Sequence, residues 1–215
     1  MLMKHALIFC IFISLIMAGI DRLISTSLSH VIKRKLNSND LKNLEKKLFL
    51  EHGMSIKLSI EHFHKFNVTL KNISKIDIKK FENDCINKII KIKKIGENCS
   101  IKIIDQKLSD LVLELCGDSE TRRILVCLFD NDLTIPQILN QSKIPKTSGY
   151  RKIENLIING LILESGKVLS ESKKISTYKC VFDEIKIQMK KNDVMIQGII
   201  NKKILDISTT INRTN

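Results

Sequence analysis

Residues 134–160, TIPQILNQSKIPKTSGYRKIENLIING, constrain this chain more than any other stretch. Thr134 followed three residues later by Gln137 has the spacing of a capping box, and Pro136 falls in a first helical turn, where its missing N–H costs nothing. Ile138 and Leu139 begin the apolar face of a short helix. Pro145 pushes Ile144 out of helical geometry, so that helix ends and a longer one starts at Lys146. Gly160 closes it. On a 3.6-residue wheel Gly149, Ile153, Leu156 and Ile157 share one side, which leaves Thr147, Ser148, Arg151, Glu154, Asn155 and Ile158 on or near the other. A helical hairpin buried in a larger core has the same pattern, so the residues that follow decide between the two.

After Gly160, residues 161–164 read as a short apolar strand, Ser165-Gly166 as a turn pair, 167–169 as a returning strand, 170–174 as a polar tip and 175–182 as a further strand. Two helices followed by a β wing make a winged helix-turn-helix. Here the chain resembles the archaeal transcriptional regulators with an ArsR-like winged helix. Residues 118–125, DSETRRIL, resemble that family's opening helix, residues 144–151, IPKTSGYR, its turn and recognition helix, and residues 159–162, NGLI, its lead-in to the wing. The resemblance spans roughly 105–182.

The resemblance implies a cytoplasmic, sequence-specific regulator that binds double-stranded DNA, usually as a homodimer on paired half-sites. It names no effector. Geometry assigns the roles. Thr147, Ser148, Arg151 and Asn155 present hydrogen-bonding groups to base edges, with Arg151 best placed for a bidentate guanine contact. Lys146 opens the same helix, Tyr150 and Lys152 flank its reading face where phosphate contacts are expected, and Lys173 and Lys174 at the wing tip are expected to grip an adjacent phosphate or the minor groove.

Charge agrees with that partner. The chain carries 36 basic against 23 acidic residues, a formal charge of +13, which favours a polyanion, although an AT-rich genome also enriches Lys, Ile and Asn. Within residues 106–142 three basic residues face six acidic ones, whereas residues 143–179 hold eight basic and three acidic. Between 21 and 105 there are 18 basic and 10 acidic. The six cysteines, Cys10, Cys85, Cys99, Cys116, Cys127 and Cys180, show no C-x-x-C, and Cys116 and Cys127 fall on different predicted helices, so reduced thiols and no metal site are expected. His62 and His64 point to different faces of a helix. No Gly-rich phosphate loop, HExxH, nucleophile elbow or paired carboxylates occur, which leaves no enzyme and no cofactor to assign.

The fold expected is mainly α with a small β wing. Residues 1–20 are a hydrophobic extension, either a start-site artefact ahead of Met17 or part of a membrane anchor over 6–24. Residues 21–98 form a helical N-terminal domain whose four helices carry Leu28 to Leu36, Leu41 to Leu48 ending at Gly53, Ile60 to Ile73, and Ile78 to Ile92, with Asp40 and Asp77 as N-caps. Gly96 to Ser100 is the expected linker. Residues 101–185 form the winged helix, starting at the cap Asp105, and residues 186–215 a β-hairpin and polar tail.

Overall fold

The computed structural model describes residues 18–170, 173–191 and 193–211. Of the expected extension over 1–20 and its anchor alternative over 6–24, residues 1–17 lie outside the described residues, as does the end of the tail, while residues 18–24 open the first helix of the fold, with Ile20, Leu23 and Ile24 buried in its core. Among those described, no helix is long and apolar enough to cross a membrane.

The spine is α1 (Ala18–Lys35). Asp21 in its first turn and Lys33, Arg34 and Lys35 in its last complement the helix dipole. Ile20, Leu23, Ile24, Leu28 and Ile32 recur at three- and four-residue spacing and are all buried. Around α1 pack the short helix α3 (Ile56–Glu61) and α5 (Ile78–Ile86), with α2 (Ser38–His52) and α4 (Phe63–Lys71) outside them. Gly53, at φ 63, ends α2, where only glycine adopts the left-handed conformation cheaply. The cap of α2 is Asn37, whose side chain accepts the Asp40 N–H, so Asp40 is the first-turn acid and not the cap. Asp77 caps α5 as expected. The expected third helix is two: His62 (φ −124, ψ 55) breaks it, which lets Phe63 and Phe66 turn inward and stack with ring centroids 5.3 Å apart.

The fourth expected helix stops at Ile86, and the chain enters β1 (Ile90–Ile95), turns at Gly96 (φ 58) and returns in β2 (Asn98–Ile103). Residues 96–100 are therefore a hairpin turn and the start of a strand, not a linker. Ile90 and Ile92 alternating with Lys91 and Lys93 is a period of two, which the i, i+3 spacing of Ile89 and Ile92 masked. The C-terminal hairpin of β6 (Glu184–Lys190) and β7 (Asp193–Asn201) is present, but β7 pairs with β2, giving one antiparallel sheet in the order β1-β2-β7-β6. Residues a hundred positions apart share that sheet. The fold is thus mixed α/β, about 55% helix and 25% strand among the described residues, in two antiparallel sheets, and not a helical N-terminal domain followed by a wing and an appended hairpin.

The described part of the expected polar tail, residues 201–211, docks on the core instead of lying free. A short helix α10 (Lys202–Ile207) follows β7, and Ile204, Leu205, Ser208, Thr210 and Ile211 lie inside the core. Ser208 Oγ and Thr209, through its N–H and hydroxyl, donate to the buried Asp21 carboxylate on α1.

The second sheet belongs to the middle of the chain. In order come α6 (Gln106–Gly117), α7 (Ser119–Leu128), β3 (Leu133–Thr134), α8 (Ile135–Ser142), α9 (Lys146–Ile158), β4 (Ile162–Ser170) and β5 (Lys173–Cys180), with strand order β3-β5-β4. Asp105 caps α6 by accepting the Leu108 N–H, and also takes the hydroxyl of Ser27 on α1. Ser165-Gly166 is not a turn. It is an irregularity inside one long strand, where the register against β5 shifts between Glu164 and Gly166.

Candidate nucleic-acid interface

The geometry of α9 follows from the turn before it. The Thr134 N–H donates to Gln137 Oε1, fixing the start of α8, and Lys143 at φ 52 closes that helix in the left-handed region. The Ile144 N–H reaches back to the Leu139 carbonyl, and Pro145 precedes α9 with no side chain capping it. Gly149 is buried against the side chains of Leu139 and Ile144, and a Cβ at this position would require the Leu139 side chain to move aside. Ile153 and Leu156 complete the buried side, which matches the expected face; Ile157 is half-buried.

The C-terminal end of α9 is held from α1. Gly160, at φ 76, lies so near the α1 backbone that a Cβ there would sit 2.5 Å from the Gly19 carbonyl oxygen and from the Leu23 nitrogen. Arg22 donates to the Ile157 carbonyl at 3.3 Å while its Nε meets Glu61 at 3.3 Å. The first helix of the chain therefore fixes the last turn of α9.

Lys146, Thr147, Tyr150, Arg151 and Asn155 are exposed on α9. Ser148 is half-buried, its hydroxyl 3.4 Å from the Pro145 carbonyl. Asn155 Oδ1 accepts from Asn159 Nδ2 at 2.8 Å, which engages one of its acceptor sites and leaves its amide group. Glu154 is exposed beside Arg151, and Ile158, 61% exposed, ends the outward stripe.

Lys152 is committed elsewhere. Its ammonium lies 2.5 Å from Asp118 Oδ2 and 3.5 Å from Glu120 Oε2, tying α9 to the start of α7. The Lys152 hydrogen bond, helped by the Thr121 hydroxyl and N–H, holds the Asp118 carboxyl well below the usual carboxylate range, and the same contact raises the Lys152 pKa. The acidic and basic halves inferred from composition are interlocked here. Nothing local in the sequence marks a pair separated by 34 residues.

Two clefts flank α9. One, about 470 Å³, is lined by Glu114, Asp118, Arg151, Glu154, Asn155 and Ile158 among others. The other, about 510 Å³, lies between α8 and α9 and is lined by Pro136, Asn140, Lys143, Lys146 and Tyr150. The first is of mixed charge and the second basic.

Lys173 and Lys174 are exposed at the start of β5, opposite Ser170 and Leu169 on β4. Leu169, 74% exposed and flanked by Lys167 and Lys174, is an apolar group at this end that the expected polar tip did not anticipate. Cys116 and Cys127 are half-buried free thiols, raised above the ordinary thiol value by burial, and Cys180 is pushed up to about 12 for the same reason. No group of three or more His, Cys, Asp or Glu side chains that could hold a metal ion occurs among the described residues.

No family model matches the chain, and no curated protein or solved structure matches it.

Proposed function

We propose that the chain is a sequence-specific, double-stranded DNA-binding transcriptional regulator of the ArsR-like winged-helix kind, acting in the cytoplasm as a homodimer and without catalytic chemistry. In this reading α7, β3, α8, α9, β4 and β5 are the winged helix, α9 enters the major groove, and the β4–β5 hairpin lies along the backbone. One observation carries it. The helix pair closed by Gly149 is followed directly by a hairpin paired with the strand before it, in the order β3-β5-β4, while Lys146, Thr147, Tyr150, Arg151 and Asn155 stay exposed. An exposed guanidinium near the uncapped positive end of a helix suits guanine O6 and N7.

Arg151→Ala is the test. It should cost about 1 to 3 kcal/mol on the preferred site and relax the choice at one base pair, with much less change on random duplex. Unchanged affinity for both duplexes would remove α9 as the reader.

A second reading draws on Glu154, the exposed Ile158 and the acidic wall of Glu114 and Asp118 beside Arg151. A mixed-charge cleft with an exposed isoleucine suits a protein partner better than phosphate. Under that reading Ile158→Asp, and not Arg151→Ala, abolishes binding to the partner.

A further inference from the structure

The register of the four-stranded sheet sorts its side chains into two faces. Ile90, Ile92, Ile101, Ile103, Ile196 and Ile200 share one, and Phe182 packs on it over Gly198. The opposite face is lysine-rich. Lys91 on β1 stands directly across from Lys102 on β2, Lys102 from Gln197 on β7, and Gln197 from Lys186 on β6, so a single row crosses all four strands. Lys93 and Lys190 lie on the same face in other rows. All five lysines are exposed, against two carboxylates there, Glu184 and Asp193. Glu184 is engaged with Lys186 at 3.2 Å, and among the described residues Lys91, Lys93 and Lys102 form no ion pair.

A face that only had to stay wet would alternate its charges across strands, because like charges directly opposite destabilise a sheet. Edge protection accounts for lysine on the two outer strands, Lys91 and Lys93 on β1 and Lys186 and Lys190 on β6, but not for Lys102 on β2, which is paired on both sides. The row spans three interstrand steps, about 14 Å. No aromatic side chain lies on this face to stack on an unpaired base, which sets it apart from single-strand platforms.

We infer that this sheet face is a second, sequence-independent contact for the phosphate backbone of duplex DNA, carried by Lys91, Lys102 and Lys186 with Lys93 and Lys190 beside them. The inference rests on the DNA-binding reading of α9 and adds a surface to it. Lysine ammonium groups act here as point charges that release counterions from the duplex and contribute affinity without choosing a sequence.

The test uses the full chain and a triple variant, Lys91→Gln with Lys102→Gln and Lys186→Gln. Affinity for random duplex, for a preferred duplex and for single strands is measured across a salt series. The slope of log affinity against log salt should flatten by about 0.9 for each phosphate that is no longer neutralised, about 1.8 for Lys91 and Lys102 together, with Lys186 adding to this only so far as the duplex displaces Glu184 from it, and with the ratio of preferred to random affinity unchanged. The melting temperature should hold or rise, since Lys91 and Lys102 no longer repel. Arginine at the same three positions should retain the wild-type slope. A normally folded glutamine variant with an unchanged slope overturns the inference, as does a loss confined to single strands. Absence of duplex binding by the wild type overturns the α9 reading itself, whereas a specificity loss in Arg151→Ala beside an unchanged slope in the triple variant overturns only the sheet.

Discussion

Asp21 and Ser208 stand 187 residues apart in the chain and are joined inside the core, the serine hydroxyl donating to the aspartate carboxylate at 2.5 Å. Thr209 adds its N–H and its hydroxyl to the other oxygen, each at 2.9 Å. Burial outweighs these donors and raises the Asp21 pKa above the ordinary value. The folded state then holds this proton more tightly than the unfolded one. The group's contribution is fully present below the unfolded value, near 3.9, and is lost as pH rises through the folded one. Thermal melts from about pH 4 to about pH 7 should therefore show wild type losing ground to Asp21→Asn as pH rises. Asp21→Ala strands three donors and should cost about 3 kcal/mol. A constant gap between wild type and the Asn variant would count against the buried ionisable group.

Lys152 gives a contrasting expectation. Because its ammonium is held by Asp118 and Glu120, Lys152→Ala should leave the salt slope of DNA binding unchanged, while Lys146→Ala, on an exposed side chain, should flatten it by about 0.9. The ion pair is partly exposed, so its loss should cost less than about 1 kcal/mol of stability. Asp118 has a lowered pKa, so its contribution is present above the unfolded value and fades as pH falls toward the folded one. Acid titration of the melting temperature in wild type and Lys152→Ala checks the sign.

Two glycines with the same backbone sign should respond differently to alanine. Gly53 (φ 63) has nothing within 4 Å of an added Cβ, so Gly53→Ala should cost only the left-handed penalty, about 1 to 2 kcal/mol. Gly160 (φ 76) meets the backbone of Gly19 and Leu23, which cannot move aside as a side chain can. Gly160→Ala should lose at least a further 1 to 3 kcal/mol, roughly, from overpacking, measured by denaturant midpoint. Equal losses would mean that α1 and α9 are not in contact.

At the wing, Lys173→Ala with Lys174→Ala should weaken preferred and random duplexes alike and flatten the salt slope by about 0.9 for each phosphate released. Retained affinity at every salt concentration would exclude this hairpin from the DNA backbone.

The helices that begin at Gln106, Ile135 and Lys146 were legible because each carries its own start signal: Asp105 and Thr134 precede apolar runs of helical period, and Pro145 separates the last two, whereas 118–125 stood out through its resemblance, its cap Asp118 going unread. The exposed side of α9 was legible for the same reason, being the complement of Gly149, Ile153 and Leu156. What stayed hidden depends on distant partners. The Ile90–Ile95 stretch becomes a strand through β2, and β2 is completed by residues 193–201, which no local window contains. Serine and threonine made 208–210 look solvent-facing, yet their hydroxyls are what Asp21 requires in the core. Lys152 looked like any other basic residue of its helix until Asp118 was brought beside it.

The placing of β7 between β2 and β6 fixes an order of events during synthesis. The β1–β2 hairpin emerges early, with one long side of β2 unpaired, and its partner arrives only when residues 193–201 leave the ribosome. At about 5 to 20 residues per second that open edge waits roughly 5 to 20 seconds, a period when a neighbouring nascent chain offers the same hydrogen bonds. Translation speed across the intervening segment thus sets how long the newborn protein is exposed to mispairing, and slowing ribosomes there should raise aggregation of this chain without altering the finished molecule.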